Sequence, residues 1–576
     1  MIFVDKLNIL SFIKIIKLKC KRVYILSSLN NMSTFLKSFL ELLGIEVNQE
    51  IFFYGDLRTD QSESLYIATR KKSIQMSFEY SNKIIDSSVI YYQNRILNER
   101  NIFKSYLSKI LLEEFEYFFR RIDYIKNQYP TKDNIKLIIK KSKFIESSFL
   151  SEKSKILIDF FGSNFFSNAI EILKFNVKVI ISRIRFIFLN KTKINYINTL
   201  SIATDQINSE CAERHFPHWL NHETLKNQVI INNLNFNVTL SKKFLKANNI
   251  SILGNKNILY LPNKSFKIEY IGEIYSNVKL HIKKLIYLTK GLTFLINKYN
   301  CNKFIYCEPQ DPISDAILLS KLDYNIETFC IQYSNMCSKT PLMITCVDNF
   351  LCFSKEHEPV FKWEDIGPKN FISTGYTFIN NYDNNNLEDL KQKLYNEGVK
   401  TIIAYFDESM QKDKWGYKSY QSCIDEYELL SNFIIENKSF AIILKPQFVR
   451  NSVSIFKSNK IMEAIKTNRL LEVKSGTHRN LITPQQVGAI SDYSISDIIG
   501  GTAGLEAGLA GSKVFFINPS GYISMLKDIY NETGILVDDT QTVLNLILQK
   551  NKDQFSNEII NKLSKKEVSI QDALGL

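Results

Sequence analysis

No Cys-x-x-Cys pair occurs among the nine cysteines, and their number is odd. Both facts exclude a disulfide-stapled scaffold and point to reduced thiols in a cytosolic compartment. No apolar run reaches about 18 residues, so no spanning helix is expected. The opening MIFVDKLNILSFIKIIKLKCKR alternates Lys with apolar residues. It lacks the clean apolar core and small-residue cleavage site of a secretion signal. Also missing is a dense basic arm or an aromatic-interleaved RNA motif. The balance is nonetheless basic, with 73 Lys plus Arg against 59 Asp plus Glu, giving +14. That sign suits nucleic acid, an anionic membrane face or an anionic sugar-nucleotide. Because the Lys residues are dispersed, nucleic acid is not expected as a partner. Glycine (20) and proline (11) are scarce beside Ile, Lys, Asn, Phe and Tyr, a bias of the kind an AT-rich genome produces and one that says little about function.

What is present is length and alternation. A chain of 576 residues exceeds a single core, so two or three domains are expected. The chain is organised around Ser491 to Pro519, which reads as strand, glycine turn, helix, strand. Ile495 to Ile499 is β-rich, Gly500-Gly501-Thr502 breaks it, and Thr502 stands in N-cap position. Ala503 to Ala510 is a helix of small residues closed by Gly511, and Val514 to Ile517 is the next strand. Such a unit presents free N–H groups and the positive end of a helix dipole to an anion. Glu506, one turn in, could reach a sugar hydroxyl. An ordinary tight βα turn would look the same.

Residues 22 to 43 read as a first strand, loop and helix, and helical periodicity dominates from about 65 to 190. The stretch 175 to 190 is apolar on one side with Lys178, Arg183 and Arg185. It reads either as a membrane-surface helix or, preferred here, as an element packed in the core with its basic residues solvated. His215, His218 and His222 have a metal-like spacing, but Pro217 breaks the local helix, and an aromatic anchor of Phe216, Pro217 and Trp219 is the better reading. From 250 onward strands and helices alternate. Glu308, Asp311 and Asp315 follow a strand at Lys303 to Cys307, and an Asn-rich linker at 379 to 392 divides two βαβα blocks. The expected architecture is α/β, with two Rossmann-like domains facing a cleft. Residues 1–378 would be the first, carrying a helical insert at about 65–190, and 379–576 the second.

Five pieces in order resemble bacterial GT-B glycosyltransferases of surface-polysaccharide synthesis, of the capsule, Kdo-transferase and CDP-glycerol-transferase type. They are Tyr306-Cys307-Glu308 with Cys330-Ile331-Gln332-Tyr333-Ser334, then Val347-Asp348-Asn349-Phe350, Thr374-Gly375-Tyr376, Lys445-Pro446-Gln447, and Gly501-Thr502-Ala503-Gly504-Leu505-Glu506-Ala507. Phe216 to Leu220 is similar to the mid-chain loop of PFTS-motif polysaccharide-biosynthesis proteins, although GGTAG stands where PFTS would. The resemblance spans roughly residues 200 to 540. Two histidines of the pattern are replaced, by Tyr333 and Gln447, and Val514 stands where retaining enzymes carry a second Glu.

The resemblance implies a cytoplasmic nucleotide-sugar-dependent glycosyltransferase, inverting and metal-independent, with no cofactor. Its partners would be a nucleotide-sugar donor and a glycan or lipid-linked glycan acceptor of capsule or lipopolysaccharide O-antigen, with peripheral contact at the cytoplasmic face of the inner membrane. An inverting transferase needs a base for the acceptor hydroxyl and positive charge on the leaving phosphate. Glu308 is the first candidate base and Asp311 the second, although Asp311-Pro312 also suits a helix start. Asp407 and Glu408 are rivals. Lys445, Arg450 and the turn Gly500, Gly501, Thr502 and Ala503 would hold the nucleotide phosphate, and Glu506 the ribose. Gly375 and Tyr376 would form the hinge. Two other functions fit the same fold: a GT-B sugar-nucleotide epimerase and a non-catalytic scaffold in polysaccharide assembly.

Overall fold

The computed structural model describes residues 1–27, 31–97, 100–132, 134–142, 145, 147–154, 156–161, 165–190, 199–203, 228–232, 251–254, 258–270, 276–306, 309–310, 312–336, 338–376, 385–407, 415–418, 420–447, 458–475, 482–499, 501–518, 525–532, 535–549 and 558–575. The chain divides into two compact units. One comprises Met1–Ile187, Tyr260–Leu288 and Asp413–Tyr417; the other comprises Phe188–Leu259, Thr289–Lys412 and Lys418–Leu576.

The first unit holds a five-stranded parallel sheet of β1 (Ile2–Val4), β2 (Arg22–Ile25), β3 (Glu46–Gln49), β6 (Lys136–Lys140) and β7 (Leu157–Phe161), in the order β3-β2-β1-β6-β7. A three-stranded antiparallel sheet, ordered β11-β4-β5, joins β4 (Ser88–Tyr92), β5 (Arg95–Ile96) and β11 (Phe266–Tyr270). Helices Leu65–Asp86 and Asn101–Gln128 pack along each other, burying Phe103, Phe115, Phe118 and Phe119 completely or nearly so. Their three- and four-residue apolar spacing sets that shared face.

The second unit holds two further sheets of parallel strands. The seven-stranded one runs β10-β9-β8-β12-β13-β14-β15, from β8 (Thr199–Ala203), β9 (Gln228–Asn232), β10 (Ser251–Gly254), β12 (Lys303–Tyr306), β13 (Glu327–Ile331), β14 (Asn349–Cys352) and β15 (Asn370–Ser373). The six-stranded one runs β18-β17-β16-β19-β20-β21, from β16 (Thr401–Phe406), β17 (Phe440–Lys445), β18 (Leu470–Glu472), β19 (Tyr493–Asp497), β20 (Lys513–Ile517) and β21 (Leu536–Val537). Strand β16 shows why this sheet is buried on both sides. Ile402, Ala404 and Phe406 join one apolar cluster, while Ile403 and Tyr405 join another on the opposite face. A continuous apolar run is what a parallel strand covered on two faces requires.

The expected α/β class with Rossmann-like sheets is therefore present, and both sheets of the second unit carry the Rossmann strand order. Residues 1–378 differ from the single domain expected. They carry two separate parallel sheets, and the stretch read as a helical insert supplies β6 and β7 to the first of them.

The stretch 175–190 follows its preferred reading in part, packed on one side with Lys178 and Arg183 exposed. It belongs to a helix, Phe165–Asn190, that packs Phe175 and Val179 against Leu280, Tyr260 and Tyr287. Its opposite face, with Leu173, Ile180 and Ile184, is exposed.

Candidate functional site

Strand order reverses between β16 and β19 in the six-stranded sheet and between β8 and β12 in the seven-stranded sheet. In open parallel sheets the carboxyl edge at such a point is where a crevice forms. The glycine turn follows β19 directly. Every residue of β19 is buried, and the chain leaves the sheet at Asp497, whose Oδ1 accepts from the Ile499 N–H at 2.8 Å.

The helix then runs Thr502–Leu509. Its N-cap is Gly501 rather than the expected Thr502, and no side chain caps it. Thr502 turns its hydroxyl elsewhere. Its Oγ1 accepts from the Asn335 N–H at 2.8 Å and lies 2.9 Å from Ser334 Oγ, both in the loop after β13. Small residues let this helix approach the sheet. A Cβ on Gly504 would sit 2.6 Å from the Phe516 ring, closer than carbon atoms tolerate.

Asn335 is the centre of a buried polar network linking the two sheets. Its Nδ2 donates to the Tyr530 hydroxyl at 3.0 Å and to the Gly501 carbonyl at 3.4 Å. That leaves Oδ1 to accept from His357 Nε2 at 2.9 Å, which fixes the proton on Nε2. His357 Nδ1 then accepts from Ser354 Oγ at 3.2 Å. His357 is fully buried, and burial pushes its pKa down to about 4 against a weaker upward pull from Ser354. Gln332 ties the loops after β13 and β14 together, accepting from the Phe353 N–H at 2.8 Å and donating to the Ser334 carbonyl at 2.9 Å.

A second bridge lies one turn further along the helix. The Tyr376 hydroxyl donates to Glu506 Oε1 at 2.5 Å, and both side chains are buried. Gly375 takes φ +75, a left-handed conformation that glycine adopts without strain. The segment is tied to residues near the end of the chain. The Tyr376 N–H donates to Ser564 Oγ at 2.9 Å, Thr374 bridges Lys566, and the Glu567 N–H donates to the Ser373 carbonyl at 3.0 Å.

Lys445 ends β17, two strands from β19, and is buried; its Nζ donates to the Pro446 carbonyl at 3.5 Å. Asp407, just after β16, accepts from the Tyr427 hydroxyl at 2.6 Å and from the Gln447 N–H at 3.3 Å. Gly501, Thr502, Ala503, Glu506 and Tyr376 thus meet where the two sheets adjoin, with Gly375 next in the chain. Glu308, Asp311, Glu408, Arg450, Gly500 and the three histidines at 215, 218 and 222 lie outside the described residues. A helix does begin at Pro312.

Sequence reading missed Asn335, His357, Tyr530 and Lys418. Lys418 pairs with Glu426 at 2.5 Å. Burial opposes its charge, but Glu426, Cys423 and Asp497 together lift its pKa above that of an ordinary lysine. It is a largely covered cation close to Asp497 at the end of β19, and nothing in its local sequence, GYKSYQ, marks it. Among the described residues no group of His, Cys, Asp and Glu is arranged to hold a metal ion.

No family model matches this chain, and no curated protein matches it. Solved structures do. The UDP-GlcNAc 2-epimerase of Neisseria meningitidis bound to UDP-GlcNAc is 14% identical, covering 66% of this chain and 98% of its own, with a TM-score of 0.39. The putative UDP-N-acetylglucosamine 2-epimerase of Listeria monocytogenes is 13% identical, covering 65% and 92%, with a TM-score of 0.38. MurG of Acinetobacter baumannii is 9% identical, covering 66% and 98%, with a TM-score of 0.36. With scores below 0.5, the chemistry of the site has to be argued from its own residues.

Proposed function

We propose that this chain uses a nucleotide-activated sugar, and that it transfers the sugar to a glycan or lipid-linked glycan acceptor of a bacterial surface polysaccharide, with inversion. The observation that carries the reading is the position of helix Thr502–Leu509. It starts at the reversal point of the six-stranded sheet and is met there by the loops after β13 and β15.

In this reading the first-turn N–H groups at Thr502 and Ala503, unpaired within the helix, face the leaving phosphate, since the Thr502 hydroxyl is already engaged. Lys445, Arg450 and Lys418 add positive charge around it. Glu506, which accepts from Tyr376 at the same end of the helix, is the residue assigned to the ribose hydroxyls. Glu308, two residues beyond the end of β12 in sequence, is assigned the acceptor proton, with Asp311 the second choice. Gly375 and Tyr376 carry the hinge.

A sugar-nucleotide epimerase is the second reading, the activity named for two of the three solved neighbours above, and the same crevice would serve it. Thermal unfolding with UDP-, CDP-, GDP- and CMP-compounds tests the shared part. A ligand at about 100 times its Kd adds about 2.7 kcal/mol, a shift of several degrees. Glu506→Gln should shrink that shift while keeping the Tyr376 contact. No shift with any nucleotide would end the reading. Nucleotide release that requires an added acceptor glycan marks the transferase; interconversion of the sugar without acceptor marks the epimerase.

A further inference from the structure

The helix Phe165–Asn190 carries two apolar faces. Phe175 and Val179 pack inward, with buried Ser182 on the same side. Opposite them Ile170, Leu173, Val177, Ile180, Ile184 and Ile187 form a stripe open to solvent, with Leu173 63% and Ile180 58% exposed. At 3.6 residues per turn these six fall on one line about 25 Å long, directly away from the packed face. Large aliphatic side chains in such a row are an exposed patch of the kind that marks an interaction surface.

The charges beside the stripe identify what it fits. Lys174 flanks it on one side and Arg183 on the other, both exposed, while Lys178 lies further round with its Nζ 5.5 Å from the Tyr260 ring of the packed face. The acid on this segment, Glu171, is turned to Lys284, 3.4 Å away. The spacing of three and four residues would also suit a coiled coil with a second copy. Such a pairing needs complementary charges beside the seam, and Lys174 and Arg183 are of one sign. A negatively charged bilayer satisfies both features at once, burying the stripe below the headgroups and the bases among them. No helix among the described residues is long and apolar enough to cross a membrane, so the geometry is that of a helix lying in the interface.

We infer that the Phe165–Asn190 helix docks this protein on an anionic lipid surface, in the plane of the bilayer. The stripe belongs to the first compact unit, so the inference stands or falls independently of nucleotide binding in the second.

The test uses the purified full chain with phosphatidylcholine vesicles, with and without phosphatidylglycerol, read by co-sedimentation. The protein should bind the phosphatidylglycerol vesicles and bind the neutral ones weakly, with affinity falling as salt rises. The double variant Ile180→Glu, Ile184→Glu should bind at least about tenfold more weakly, because two side chains that would enter the bilayer become charged. The double variant Lys174→Gln, Arg183→Gln should lose the preference for anionic vesicles. Circular dichroism and melting should be unchanged in both, since every altered side chain is exposed. Failure of the native chain to bind, or equal binding by the Glu variant, overturns the inference. A concentration-dependent dimer in sedimentation velocity, abolished by the Glu variant without any vesicle binding, would reassign the stripe to a second copy.

Discussion

The five-stranded sheet of the first unit and the six-stranded sheet of the second reverse their strand order in the same way, and differ in what occupies the reversal point. In the five-stranded sheet Asp5 follows β1 there, fully buried. Arg121 Nε donates to it at 2.8 Å and the Tyr117 hydroxyl at 2.5 Å, while the Arg121 guanidinium lies 4.3 Å from the Trp415 ring. In the six-stranded sheet Asp407 follows β16, the strand that matches β1, and accepts from the Tyr427 hydroxyl; across the reversal point β19 leads into a glycine turn and the bare start of a helix. One edge is filled by an ion pair that serves folding; the other keeps backbone donors in place with small residues. The strand order makes a crevice possible, and the side chains decide whether it is filled.

Removing the filling should have the largest effect. Arg121→Ala leaves Asp5 as a buried carboxylate without its cation, and losing one partner of such a pair costs about 3–5 kcal/mol. The first unit should unfold at markedly lower denaturant, measured by fluorescence of Trp415. Arg121→Met, which keeps the volume, should be nearly as severe, and a loss below about 1 kcal/mol in either would mean the edge is not held by that pair.

The second largest effect falls on the other side of the comparison and depends on pH. Burial lowers His357 from 6.5 to about 4. The folded state keeps the ring neutral while the unfolded chain protonates it near 6.5. The stability this supports is complete above pH 6.5 and is lost as pH falls towards 4, about 3 kcal/mol over the window. Asp348 acts lower down. Burial would raise its pKa, but hydrogen bonds from Lys321, Lys369 and Thr328 bring it to about 2, so its contribution is lost only below 3.8. Urea titrations from pH 7 to pH 4 should show the His357 loss, and His357→Gln should flatten that stretch of the profile. An unchanged slope in the variant would place the acid sensitivity elsewhere.

The contrast between the sheets was partly legible in the sequence. The β19 turn was, because glycines between two β-rich runs leave few alternatives, and only the cap was misplaced, by one residue. Strands β6 and β7, KLIIK and LIDFF, were hidden among helical patterns, since a short buried parallel strand is an apolar run with no period of its own. The Asn335, His357 and Tyr530 network joins single polar residues up to 195 positions apart, and no local signal marks such a group. The Phe165–Asn190 helix was legible in half. A packed apolar side with solvated bases is present, and only packing tells which of the remaining apolar residues stay uncovered.

The intermediate effect comes from the close approach of the helix to its sheet. Gly504→Ala puts a methyl 2.6 Å from Phe516 Cε1 and 3.0 Å from Ser496 Cβ. Overpacking of this kind costs about 1–3 kcal/mol. Ala is the better helix former by about 1 kcal/mol, which offsets part of the loss. A net drop of about 1–2 kcal/mol in the second unit is expected by differential scanning calorimetry. Any displacement of the helix start should also weaken nucleotide binding, so the variant separates a helix held in place for a ligand from one that is merely well packed. Stability lost with nucleotide affinity kept would assign the small residues to packing alone.

The smallest effect sharpens the comparison most. Tyr376→Phe removes one hydroxyl and leaves the ring packed 4.9 Å from Phe353. Glu506 is buried and loses the hydroxyl that donates to it, so the variant should cost about 1 kcal/mol. A nucleotide affinity that Tyr376→Phe lowers less than Glu506→Gln does would separate the residue that meets the ligand from the residue that aims it. Equal losses of affinity in the two variants would instead make Tyr376 itself part of the binding surface.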